Sequence, residues 1–188
     1  MDEVGRQASI FKQASKAFAW LSHLHAQELS QHYHILENIG PQLDDGPDGQ
    51  NEERCRVIYR STVHILSDPW FTSLWTLQEL FMRSDALILS NEGVPVPTTS
   101  NHPLHLEMIA NFYQNLMSGL RFRADPEDLT NAKTTKATVS IPQMISHHRA
   151  IKELVNRSGL LHSFDSSPNA QYGCAKFRCT EYPEDRDL

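Results

Sequence analysis

The chain has 188 residues, 17 Lys plus Arg against 23 Asp plus Glu, and 39% apolar residues, which suits one compact domain or part of a larger one and excludes a mainly disordered polymer. A formal charge of -6 offers no general attraction to phosphate backbones, so nucleic acid is not an expected partner. The opening Met1-Asp2-Glu3-Val4-Gly5 has neither a basic nor an apolar leader region, no stretch reaches the roughly 18 apolar residues of a membrane span, and Cys55, Cys174 and Cys179 are too few for a framework of several disulfides. The expectation is a cytoplasmic protein with reduced thiols.

From Asp2 to Ala17, Val4, Ala8, Ile10, Phe11, Ala14 and Ala17 recur every three to four residues, as on one face of an amphipathic helix. The apolar run Ala17-Phe18-Ala19-Trp20-Leu21 then suits a buried strand ending at polar Ser22 and His23. A second helix is expected from about His23 to Asn38, with Leu24, Leu29, Ile35 and Leu36 in one stripe and Gly40-Pro41 as its stop. Residues 44 to 53, rich in turn formers and acids, read as an exposed linker. As a calcium loop starting at Asp44 it would lack an oxygen ligand at Gly46 and a Glu at Cys55.

The segment from Glu52 to Leu66 has helical spacing, although the β-branched residues from Thr62 to Ile65 leave its type open. Ser67-Asp68-Pro69 is helix-start punctuation, with Ser67 or Asp68 as cap and Pro69 in the first turn. One helix carrying Trp70, Phe71, Leu74, Trp75, Leu77, Gln78 and Glu79 is expected to follow. Asp85 to Ser90 reads as a second buried strand, closed by the turn Asn91-Glu92-Gly93. Beyond Pro95 the periodicity is helical over 104–122, 141–161 and 170–179, with a polar loop over 130–140 and no third clear strand.

The segment richest in chemistry runs from Leu66 to Leu80, where two tryptophans, a phenylalanine and a carboxylate crowd together. Trp75 and Glu79 are four apart and share a helix face. Composition alone makes Trp70, Phe71, Leu74 and Trp75 core residues and Glu79 a solvated carboxylate. His23, His25, His32 and His34 form two His-x-His pairs, but residues two apart on a helix diverge, and Cys174-(x)4-Cys179 does not have paired-zinc spacing, so no metal site is expected. Ser61, Ser67, Ser73 and Cys55 lie near His64 in sequence, without a nucleophile-elbow pattern. The short basic-aromatic phrases Arg121-Phe122-Arg123 and Lys176-Phe177-Arg178 are flanked by acids and read as solvated faces.

The phrase Asp68-Pro69-Trp70-Phe71-(x)2-Leu74-Trp75-Thr76-Leu77-Gln78-Glu79-Leu80, with the apolar strand and Gly93 after it, resembles the C-terminal block of the fungal heterokaryon-incompatibility (HET) domain. A second block is similar to the same family: Gly5-Arg6-Gln7 through Ile10-Phe11-Lys12 to Ala17-Phe18-Ala19-Trp20-Leu21-Ser22, a Gln-containing helix leading to a strand that ends in Trp-Leu. Arg157-Ser158-Gly159-Leu160 and Pro183-Glu184-Asp185-Arg186 resemble the region that follows the domain in large HET proteins. The family's opening Ser-Tyr-x-Trp-Gly and its Trp-Ile-Asp-x-Leu-Cys phrase are not in the chain, so the resemblance implies the rear, N-terminally truncated portion of a domain over 1–94, followed by a helical region over 95–188. The implied fold is α/β, a partial TIR-like HET domain that is helix-rich with few buried strands.

HET domains are thought to be related to Toll/interleukin-1 receptor (TIR) domains. Ser67, Trp75, Glu79 and Leu80 are similar in spacing to a TIR pattern of Ser, Trp eight residues on, then Glu four further on followed by Leu. In TIR enzymes that cleave NAD the Glu is the catalytic carboxylate, suited to stabilising oxocarbenium character on the ribose as nicotinamide leaves. By that resemblance Glu79 is the candidate catalytic residue, Ser67, Trp70, Phe71, Trp75 and Gln78 form the motif or pocket, and NAD enters only as a substrate, with no cofactor. The family implies a role in fungal non-self recognition and regulated cell death, as a signalling or assembly module acting through protein partners or self-association. The competing readings are a NAD glycohydrolase and an inactive helical interaction fragment.

Overall fold

The computed structural model describes residues 9–11, 13–39, 48–121 and 141–162. Its framework is a two-stranded parallel sheet, β1 (Phe18–Trp20) beside β2 (Leu87–Leu89), in a helix-rich fold with seven helices among the described residues. Phe18 pairs with Leu87, Ala19 with Ile88 and Trp20 with Leu89. Parallel pairing demands a long crossover. That crossover is made by α1 (Ala26–Ile39), α2 (Asp48–Leu66), α3 (Pro69–Thr72) and α4 (Leu74–Met82). After β2 come α5 (Leu106–Arg121), α6 (Ile141–Ser158) and a 3-10 turn at Leu160–His162.

Both expected strands form, and both are shorter than the apolar runs that announce them. β2 is paired on each side: β1 lies along one edge, and on the other the Ile88 N–H donates to the Leu104 carbonyl at 2.9 Å while the Val96 N–H donates to the Ile88 carbonyl at 3.3 Å. β1 differs from the buried strand expected over 17–21. Ala19 and Leu21 are fully buried, but Phe18 and Trp20 are 51% and 60% exposed, because the side chains of a strand alternate and the sheet presents only one face to the core.

The helices follow their buried stripes. Leu29, Tyr33 and Leu36 bury one face of α1, which starts where the Glu92 carboxylate accepts the Ala26 N–H at 3.0 Å. α2 corrects the linker expected over 44–53, since its helix already runs from Asp48. Asn51, Cys55, Ile58, Thr62 and Ile65 make a continuous buried stripe, with Asn51 only 5% exposed, while Glu53 lies off it in an ion pair with Arg56. Burial of that stripe also settles the β-branched stretch as helix, tertiary packing overriding a weak local preference. The first expected helix is described at 9–11 and 13, and the backbone leaves helix from Ala14 onward rather than continuing to Ala17.

The single helix expected after Asp68 is two. Ser73 breaks it with extended backbone (φ -73, ψ 137), and the Thr76 hydroxyl sits against the carbonyls of Trp70 and Ser73 at the break. Its start is as expected: Asp68 accepts the Trp70 N–H and Pro69 occupies the first turn. α5 buries Leu106, Ile109, Ala110, Tyr113, Leu116 and Met117, and α6 presents Ile151 and Val155 to the same core, packing along α2. Gly159, at φ +75, ends α6 in the left-handed conformation that suits glycine. The loop expected over 130–140 and the helix over 170–179 lie outside the described residues. No helix among the described residues is long and apolar enough to cross a membrane.

Candidate functional site

The site is built on Asp68, which is 1% exposed and stands where α2 turns into α3. Its Oδ1 accepts the Trp70 N–H at 2.9 Å, the helix cap that the Asp-Pro phrase announces. Its Oδ2 accepts the His23 N–H at 2.9 Å, tying the chain just after β1 to the start of α3. One buried carboxylate therefore joins two segments 45 residues apart, with both of its oxygens engaged.

The cap fixes the aromatics that follow it. Trp70 and Phe71 are buried and pack edge to face, with centroids 5.1 Å apart and planes at 81°. The Trp70 indole N–H donates to the Glu79 carboxylate. Glu79 is half-buried rather than the solvated carboxylate expected from composition, and burial holds its pKa above the ordinary glutamate value, with the Trp70 hydrogen bond pulling the other way. Glu79 also closes α4, its carbonyl accepting the Arg83 N–H at 2.8 Å.

The structure thus brings together Trp70, Phe71 and Glu79. Ser67 is apart from them: it is exposed, and its hydroxyl donates to the His64 carbonyl at 3.3 Å. Trp75 and Gln78 lie on α4 with Glu79, and their side chains are outside the described ones. The open groove along α1, lined by Ser30, His34, Ile35, Asn38 and Ile39 with Pro97 at its rim, has none of the α3 or α4 residues in its wall.

Three arrangements nearby carry no local sequence signal. Arg83 donates to the carbonyls of Phe11 (3.2 Å) and Ala14 (2.7 Å) while its guanidinium pairs with Asp85, so it fastens the segment before β1 to the turn before β2. On α2, His64 packs its ring 4.1 Å from that of His32, whose Nδ1 lies 3.2 Å from the Ser61 hydroxyl. Cys55 Sγ lies 2.9 Å from Nε2 of His148 on α6. The histidine pairs of the sequence separate accordingly: His32 turns to His64, and His34 to Ser30.

These features define a helix-rich α/β unit in which a buried carboxylate locks a strand end to an aromatic helix start. Residues 1–79 match the family described as Heterokaryon incompatibility protein (HET), and this stretch of the chain is a HET domain. The match runs through β1 and the Asp68 junction and ends at Glu79. No curated protein and no solved structure matches the chain.

Proposed function

We propose that this protein acts in fungal heterokaryon incompatibility as a signalling and assembly module that leads to regulated cell death, with Asp68, Trp70, Phe71 and Glu79 organising the HET motif rather than performing chemistry. The observation that carries this reading is the Trp70–Glu79 hydrogen bond. A carboxylate engaged by a buried indole is held as a packing element of the motif, and the described groove lies elsewhere. The domain over 1–94 then supplies the recognition unit, and the helical region from 95 onward supplies contact surface.

The enzymatic reading has one favouring feature, the half-buried environment that raises the Glu79 pKa. Two substitutions separate the readings. Glu79→Gln keeps an amide oxygen to accept the Trp70 N–H but removes the anion that oxocarbenium stabilisation needs. Glu79→Leu removes both. Expressed in a filamentous fungus and scored for hyphal death, the Gln variant should act like wild type and the Leu variant should lose the response. Nicotinamide release from NAD by the wild-type protein, abolished by Glu79→Gln together with killing, would overturn the assembly reading.

A further inference from the structure

α1 and α2 meet through a polar pair that the Asp68 junction does not use. His32 on α1 and His64 on α2 lie with ring centroids 4.1 Å apart and planes tilted by 38°. Nε2 of His64 is buried and has no hydrogen-bond partner. A ring nitrogen shut away from water normally has one, so an orphan of this kind marks a place where an ion or a water belongs. His32 is held differently. Its Nδ1 lies 3.2 Å from the hydroxyl of Ser61, itself only 1% exposed, and its Nε2 meets no hydrogen-bonding group among the described residues. The serine hydroxyl can accept as well as donate. When it accepts the Nδ1–H of His32, the lone pair of that ring is on Nε2, which is how metal-ligating imidazoles are usually oriented. Burial and the neighbouring His64 hold the His32 pKa below its ordinary value, which keeps that lone pair free of a proton at neutral pH, and Glu28, one turn earlier on α1, sets a negative charge near the same ring.

We infer that His32 and His64 together bind one divalent transition-metal ion of the zinc class through their Nε2 atoms, as a clip between α1 and α2. Imidazole nitrogens favour zinc, copper and nickel, whereas magnesium and calcium take oxygen ligands. Two nitrogens each about 2.0 Å from one ion are about 3 Å apart, and rings with centroids 4.1 Å apart can bring one nitrogen of each to that spacing. The ion gives the buried Nε2 of His64 the partner it lacks in the protein. Among the described residues no three His, Cys, Asp or Glu side chains stand together as a metal-binding group, so water fills the remaining positions and the ion exchanges readily. Sequence spacing hides this site because the two histidines of His32-x-His34 diverge: His34 turns to Ser30, and the second ligand comes from another helix.

The clip goes beyond the assembly reading, and its test measures metal uptake rather than killing, so either can fail alone. The full chain, freed of metal by a chelator and titrated with about 1 to about 100 μM Zn²⁺ against a chromophoric zinc indicator, should take up one equivalent, and Mg²⁺ at the same concentration should not bind. His32→Gln and His64→Gln should each weaken uptake by more than about tenfold, and Ser61→Ala, which touches only the orientation of His32, by about tenfold. His102→Gln, at an exposed histidine outside the site, should bind like wild type. Because zinc clips the two helices only in the folded chain, it should also raise the wild-type urea midpoint, and EDTA should reverse the rise. Circular dichroism checks that the Gln variants are folded. Pulsed electron paramagnetic resonance of the Cu²⁺-loaded wild type needs no substitution and should count two imidazoles on one ion. No uptake, uptake indifferent to either Gln variant, uptake weakened equally by His102→Gln, or a single imidazole on copper would each overturn the inference.

Discussion

Two polar junctions hold the helices of this protein, and they are satisfied in different ways. At the Asp68 junction both carboxylate oxygens accept backbone N–H groups, one local and one from the end of β1. Along the inner face of α2 the polar groups meet side chains instead: His32 reaches Ser61 and packs on His64, Tyr113 donates to Thr62, and Cys55 meets His148. That face also keeps a buried ring nitrogen without a hydrogen bond, Nε2 of His64. The first junction is a fixed lock between strand and helix. The second is an interface whose strength follows the protonation of His32.

The strongest way to break this contrast is Asp68→Ala. Two buried N–H groups lose their acceptor and α3 loses its cap, which should cost about 3 kcal/mol. Urea unfolding followed by tryptophan fluorescence reads the loss, since Trp20 and Trp70 lie on either side of the lock. Asp68→Asn keeps one acceptor oxygen and should recover part of it. If Asp68→Ala moved the midpoint no more than a surface change does, about 0.5 kcal/mol, the junction would not be the lock described here.

The contrast also decides what could be read from the chain. Asp68-Pro69 announces a helix start because cap chemistry is local, and the two strands announce themselves through short apolar runs bounded by turns. The second bond of Asp68, to His23, is invisible because nothing in the sequence indicates which distant N–H will arrive. The same holds for Arg83 on the Phe11 and Ala14 carbonyls and for His148 on Cys55, 93 residues away. The acidic stretch before Glu53 reads as linker because composition outweighs position, yet Asn51 extends the stripe of Cys55, Ile58 and Thr62 by one turn, and burial of that stripe decides the helix. At the candidate site, the aromatic cluster is legible from its density, whereas the pairing of Glu79 with Trp70 depends on the break at Ser73 that turns one expected helix into two.

A smaller effect tests the side-chain interface. Tyr113 is fully buried on α5 and its hydroxyl donates to Thr62 Oγ1 on α2 at 3.1 Å. Burial pushes the phenol's pKa well above its ordinary value, so the bond is made by the neutral hydroxyl at every physiological pH. Tyr113→Phe removes one neutral hydrogen bond and preserves the packing, so the urea midpoint should report a loss of about 1 kcal/mol, without the pH dependence expected of His32.

The smallest effect, and the one that sharpens the contrast most, concerns His32. Burial, and then the neighbouring His64, lower its pKa below 6.5, while Glu28 acts in the opposite direction. The folded state therefore prefers neutral His32, and the unfolded chain binds the proton more readily. That contribution to stability is present in full above the unfolded pKa of 6.5 and is lost as pH falls below it towards the folded value. His32→Gln retains a group able to hydrogen-bond Ser61 but cannot titrate. Urea midpoints measured from about pH 5.5 to about pH 7.5 should fall on the acid side for wild type and fall less for the Gln variant. Because His32 is only half-buried, the difference should be a fraction of the Asp68→Ala loss. Equal slopes for the two proteins would assign the acid response to groups other than His32.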